Sequence, residues 1–118
     1  MPRREKWRER ELFYSTEYLE FERDLSLRTV EKLRYAVTIL ETVSPIPSKF
    51  VKKLVNTYFY ELRVSADNEI RVILFSLDDE NINLASKVIF LYAFVKKDTK
   101  EYGRAMRLAM NILRRMIR

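Results

Sequence analysis

Three short segments of this chain place cations among strand-forming residues: Tyr58-Phe-Tyr-Glu-Leu-Arg63, Ile70-Arg71-Val-Ile-Leu-Phe75 and Phe94-Val-Lys96-Lys97-Asp-Thr-Lys100. Arginine stays protonated at any physiological pH, and its planar fork matches a pair of phosphate oxygens. Cations on adjoining strands therefore point to a rigid site that grips a phosphodiester. The chain has no histidine and no cysteine, which removes the commonest general base, thiolate nucleophiles, disulfides and sulfur-based zinc sites. Any catalysis has to run on Arg, Lys, Tyr or carboxylates, and no metal site or cofactor is expected.

The charge is segregated in a way that fits such a site. The net charge is +6, yet residues 87–118 hold nine Lys or Arg against two acids, which leaves residues 1–86 close to neutral. A basic C-terminal third is the electrostatic footprint of a polyanion-binding face, although a solvated basic helix looks the same in sequence. The chain's 118 residues, 47% of them hydrophobic, suit one domain spanning 1–118. No apolar run approaches the ~20 residues that cross a bilayer, and the charged N-terminus lacks the apolar stretch of a signal peptide, so a cytoplasmic location without membrane association is expected.

The elements that must position these cations follow from periodicity and capping. Residues around Trp7 to Tyr14 read equally as an edge strand or a helix start. Ser15, Thr16 and Glu17 open a helix, since a side-chain oxygen caps free amides and an acid suits the positive dipole end. Tyr14, Tyr18, Phe21 and Leu25 then share a face. Ser26 caps a second helix with Val30, Leu33, Val37 and Leu40 on its apolar stripe, widened by Ala36 and Val43. Pro45 and Pro47 end it near Ser44. Aromatic and β-branched residues then predict strands over Tyr58–Val64, Ile70–Leu77 and Val88–Val95, forming a small antiparallel sheet. Asp98-Thr-Lys-Glu101 has capping-box spacing ahead of a last helix with Ala105, Ala109, Ile112 and Met116 inward and Arg104, Arg107, Arg114 and Arg115 outward. With one glycine, Gly103, neither a phosphate-cradling Gly-rich loop nor a flexible linker is available.

In this order, the two helices, the Val51-Lys-Lys-Leu54 run, the Tyr-Glu-Leu-Arg strand, the Arg71-Val-Ile-Leu-Phe strand and the Phe-Val-Lys-Lys strand resemble the RelE/ParE toxin superfamily, nearest its phage-derived HigB-like branch. The resemblance covers roughly residues 10 to 117. It implies an α+β RelE-like microbial RNase fold, a small antiparallel sheet packed with two N-terminal helices and a basic C-terminal helix. It also implies a toxin of a type II toxin–antitoxin module, partnered by a HigA-like helix-turn-helix antitoxin. HigB and RelE relatives cleave mRNA without a metal, usually in the ribosomal A site, whereas ParE relatives poison DNA gyrase on the same fold. Two departures stand out. Asp78-Asp-Glu-Asn-Ile-Asn-Leu-Ala-Ser86 is longer than the usual hairpin turn, and Glu101-Tyr102 replaces a Thr-Pro pair common in this branch. The second departure sets Tyr102 near the place of a functional tyrosine in RelE proteins.

RNA carries its own nucleophile, the 2′-hydroxyl, so cleavage needs alignment, charge neutralisation and proton transfer at both ends. Arg71 is expected to stabilise the charge on the phosphorane. Lys97, with Lys96 beside it, would bind phosphate or protonate the departing 5′-oxygen, and Tyr102 or a desolvated lysine would act as base, leaving a 2′,3′-cyclic phosphate. Such a base starts near pKa 10, so neighbouring cations would have to lower it.

Arg63 joins Arg71 only if both face one side of the sheet. A three-residue loop, Ala66-Asp67-Asn68, would achieve this, whereas a two-residue Asp67-Asn68 turn would set them on opposite faces, with Arg63 paired structurally to Glu61. Lys52, Lys53, Lys100, Arg104 and Arg107 are candidate RNA-backbone contacts, with plain surface solubility as the alternative. Strand aromatics such as Tyr58, Phe59, Tyr60, Phe90, Tyr92 and Phe94 read mainly as core. Glu9, Glu11, Glu17, Glu20 and Glu22 read as a solvated face.

Overall fold

The computed structural model describes residues 9–118. Chain order is β1 (Glu11–Tyr14), α1 (Thr16–Arg23), α2 (Leu27–Thr42), β2 (Val51–Lys53), β3 (Phe59–Ser65), β4 (Glu69–Ser76), β5 (Lys87–Val95) and α3 (Glu101–Met116). The five strands form one sheet in the order β1-β5-β4-β3-β2. The three expected strands are its centre and pair antiparallel, as does β2, while β1 adds to β5 in parallel. The ambiguous first segment is thus an edge strand from Glu11; Trp7 lies outside the described residues. β2 escaped the sequence reading because three residues are too few to show alternation.

Alternation along the strands sorts the side chains into two cores. Leu62, Val64, Ile70, Val72, Leu74, Val88 and Phe90 face α1 and α2, meeting Tyr18, Leu33, Ala36 and Leu40. Phe59, Ile73, Ile89, Leu91 and Phe94 face α3, meeting Ala105, Ala109, Ile112 and Leu113. Met116, expected inward, is partly buried against this second core. No helix among the described residues is long and apolar enough to cross a membrane.

Both N-terminal helix starts are capped as their serines predict. Ser15 accepts from Tyr18 N at 2.9 Å and Ser26 from Thr29 N at 3.2 Å, each cap contributing about 1 kcal/mol. The buried Ser15 hydroxyl also donates to Leu91 O at 2.6 Å, tying α1 to the one irregular point of the sheet. There Ile73 pairs with Tyr92 but Leu74 with Phe90, so Leu91 is an extra residue. This bulge resets the face of every later side chain on β5. It turns Phe94 toward α3, opposite Arg71.

The long connection after β4 is a compact structure rather than a slack loop. The Asp78 carboxylate accepts from Ser86 N at 2.9 Å and Lys87 N at 3.1 Å, closing the loop at its base. Ile82 and Ala85 are buried. Arg10, itself 1% exposed, donates to Ile82 O, Leu40 O, Val43 O and Asn83 O at 2.6–3.2 Å. One guanidinium thereby ties the loop to the end of α2.

Candidate functional site

The register of β3 on β4 resolves the loop question. Ser65 pairs with Glu69 and Ala66 N donates to Asn68 O at 3.0 Å, so the loop is Ala66-Asp67-Asn68 and Arg63 stands directly opposite Arg71. Glu61, two residues before Arg63, shares that face. α3 packs on β5 and β4, leaving the β3 residues at its margin beside Tyr102 in its first turn.

These four side chains form one cluster around a carboxylate. Tyr102 Oη donates to Glu61 Oε1 at 2.5 Å. Arg71 Nε lies 3.6 Å from the same oxygen, and Arg63 Nε lies 3.7 Å from Oε2. Glu61 and Arg71 are buried, at 5% and 4% exposure, whereas the Arg63 side chain keeps 35%. Arg71 also meets Glu69 at 3.3 Å and donates to Ile70 O at 3.0 Å, but its buried Nε makes no hydrogen bond. A buried donor without a partner costs on the order of 1–3 kcal/mol, and such groups persist where surrounding structure or function holds them.

Tyr102 does not carry the lowered pKa expected of a base among cations. Burial, and then the hydrogen bond and charge of Glu61, push the phenol above its ordinary value, and the opposing pull of Arg71 is weaker. The phenol is held protonated as a donor, while the acceptor in the cluster is Glu61. Sequence reading had Glu61 only as an ion-pair partner for Arg63. Its signal was there in the Glu-x-Arg spacing on an aromatic strand, a carboxylate that period two puts beside the arginine.

The other candidates divide. Lys96 reaches the site, its Nζ 5.9 Å from the Tyr102 ring centre. Lys97 is exposed at the rim, where its amide is bound by the Glu101 carboxylate. Glu101 also accepts from Asp98 N at 3.2 Å, and Asp98 accepts from Lys100 N at 2.8 Å, which clamps the turn that carries Lys97; α3 itself starts later than the expected box, behind Lys100, which makes no side-chain cap. These amides hold the Glu101 carboxyl below its ordinary pKa. Lys52 pairs with Glu61 and so lies on the site's face, but Lys53 pairs with Tyr60 and turns to the other side, where it donates to Thr57 O and sits over the Tyr60 ring. Lys100, Arg104 and Arg107 are exposed along the start of α3. The expected aromatic core holds for Phe59, Phe90 and Phe94, whereas Tyr58 is exposed.

Residues 20–114 match the model of a family described as phage-derived protein Gp49-like. None of the curated proteins compared with the chain matches it. Among solved structures, an arginine double mutant of the E. coli toxin RelE in the free state superposes with a TM-score of 0.61, at 14% sequence identity, covering 84% of this chain and 96% of that one. At that identity the match speaks for a shared fold.

Proposed function

The chain belongs to the phage-derived Gp49-like family, within the RelE/ParE toxin superfamily, and from that premise we propose that it is the endoribonuclease toxin of a type II toxin–antitoxin module. The proposed reaction is metal-independent cleavage of mRNA, carried out on the ribosome by attack of the 2′-hydroxyl on the adjacent phosphorus. The observation that carries this reading is the Glu61 carboxylate, hydrogen-bonded to Tyr102 and flanked by Arg63 and Arg71. A base, a proton relay and two fixed cations then stand within one charged cluster.

In the proposed mechanism Glu61 takes the 2′-hydroxyl proton, directly or through the Tyr102 hydroxyl. The oxygen bonds to phosphorus while the bond to the 5′-oxygen breaks, giving a 2′,3′-cyclic phosphate and a 5′-hydroxyl. Arg63, the more exposed arginine, contacts the phosphate, and Arg71 holds Glu61 from behind and adds its charge to the field on the phosphorane. Lys96, or Lys97 at the rim, protonates the leaving oxygen. The basic margin of Lys52, Lys100, Arg104 and Arg107 tracks the RNA backbone. A HigA-like helix-turn-helix antitoxin is the proposed neutralising partner.

Mapping mRNA 5′ ends after induced expression tests this, with Arg63→Ala and Arg71→Ala expressed in parallel and DNA supercoiling assayed beside it. The expected result is new ends in translated messages that both variants lose. Unchanged transcripts with inhibited supercoiling would replace the reading with a gyrase poison, and normal cleavage by Arg71→Ala would remove that arginine from the mechanism. Co-purification with the product of the neighbouring reading frame tests the antitoxin.

A further inference from the structure

A second feature opens from the same arginines on the other side of the sheet edge. β2 covers β3 only as far as Leu62, and Arg63 N donates to Phe50 O at 2.7 Å where the two segments part. Beyond that point a cleft of about 700 Å³ lies between α2 and Lys49–Phe50, and its lining runs on to Arg63 and Arg71. Clefts of roughly 300–1,000 Å³ accommodate ligands of nucleotide size.

Its lining sets an exposed aromatic ring among cations from four segments, α2, the stretch before β2, β3 and β4. Arg28, Lys32 and Tyr35 recur at four and three residues on α2 and so share a face. Tyr35 is 62% exposed, and its ring is braced edge to face against Phe50 at 6.0 Å. Lys49 stands over Phe50, with Nζ 5.2 Å from the ring centre. The cations Arg28, Lys32, Lys49, Arg63 and Arg71 outnumber Glu31 and Glu69, and with Arg71 and Glu69 paired to each other, Arg28, Lys32 and Lys49 still outnumber Glu31 on the outer part of the cleft. An exposed aromatic alone would be unremarkable on a helix. One braced by a second ring, surrounded by cations and continuous with the candidate phosphate contact, has the make-up of a platform for an unpaired base.

We infer that this cleft is a stacking subsite for one unpaired nucleotide flanking the scissile phosphate, its base on Tyr35 and its phosphate held by Lys49 and Arg28. The inference rests on the nuclease reading above and adds where the RNA strand runs. It makes α2, rather than the basic face of α3 alone, part of the RNA path.

Single-turnover cleavage of a defined message, free and on ribosomes programmed with it, tests the subsite. Tyr35→Ala should raise the half-saturating protein concentration about tenfold with the maximal rate unchanged, as expected for loss of one stacked base. Tyr35→Phe should behave as wild type. An abasic ribonucleotide at one position beside the cleavage point should abolish the difference between wild type and Tyr35→Ala. Cleavage that slows with Arg63→Ala but ignores Tyr35→Ala overturns the subsite alone, as does a Tyr35→Ala defect that persists at every abasic position. Normal RNA kinetics with weakened antitoxin binding would give the cleft to a protein partner and end the RNA assignment. A wild-type protein that cleaves neither substrate overturns the nuclease reading and the subsite with it.

Discussion

Arg10 and Arg71 are the two most deeply buried cations of the described residues, and their surroundings differ in kind. Arg10 donates to four main-chain carbonyls, and no carboxylate is among those partners. Burial pushes its pKa below the ordinary arginine value. Arg71 stands between two carboxylates, with its Nε left without a hydrogen bond. The first arrangement joins two chain segments through main-chain carbonyls. The second leaves an open donor and a charged network beside a half-exposed arginine, and under the proposed function that network receives the phosphate while Arg10 serves as a structural clamp.

The strongest way to break that contrast is at the carboxylate. Glu61→Gln keeps the shape but removes the proposed base, so the maximal cleavage rate should fall on the order of 10²–10⁴-fold. Because two guanidinium groups lose a buried counter-charge, the thermal midpoint should also fall. Rates should therefore be compared well below the transition, on protein shown by circular dichroism to be folded. A folded Glu61→Gln protein that cleaves at the wild-type rate would reduce the cluster to a structural ion pair.

Arg10→Met should act on stability and leave chemistry alone. Removing the guanidinium strands several buried carbonyls, with an expected loss of about 3–5 kcal/mol in urea unfolding. Cleavage per folded molecule should be unchanged. A lower maximal rate in the folded fraction would show that the loop it holds supports the site, and the contrast between the two arginines would disappear.

The contrast also marks what sequence can carry. Capping serines, the proline stop after α2 and the aromatic and β-branched strands were legible because each is a local signal. The pairing of Arg63 with Arg71 was conditional because it depends on one loop residue, and sequence is neutral between a two-residue and a three-residue turn there. Arg10 lay in a segment without periodicity, and its partners are 30 to 73 residues away. Glu61 was readable as the neighbour of Arg63. Its contact with Tyr102, 41 residues on, needs the α3 packing that no spacing reveals.

Tyr102→Phe sharpens the comparison within the cluster. If the phenol relays a proton that Glu61 can also take directly, its loss should cost about tenfold in rate, less than the loss of Glu61. Its titration gives an independent check. Burial, and then Glu61, raise the phenol's pKa, so the folded state favours the protonated form, and the stability this adds is complete below the unfolded value near pH 10 and lost as pH rises through the folded one. In alkaline difference absorbance, with Tyr102→Phe identifying the signal, Glu61→Gln should shift this titration downward. An unmoved titration would mean that the short Tyr102–Glu61 contact is not held in solution.

The smallest expected effect separates two adjacent lysines by register alone. Lys52 pairs with Glu61 and faces the site, whereas Lys53 pairs with Tyr60 and points to the other face. If RNA lies across the α3 side, Lys52→Ala should weaken binding of a 2′-deoxy, uncleavable oligonucleotide a few-fold and lower the log–log salt slope by about 0.7, one single-strand phosphate contact. Lys53→Ala should leave both unchanged. Adjacent strand residues differ in face but scarcely in distance from the basic margin, so a general electrostatic attraction would weaken both variants alike. Equal losses would therefore move the RNA off the proposed face, while a loss confined to Lys52 would fix the strand's path beside Glu61.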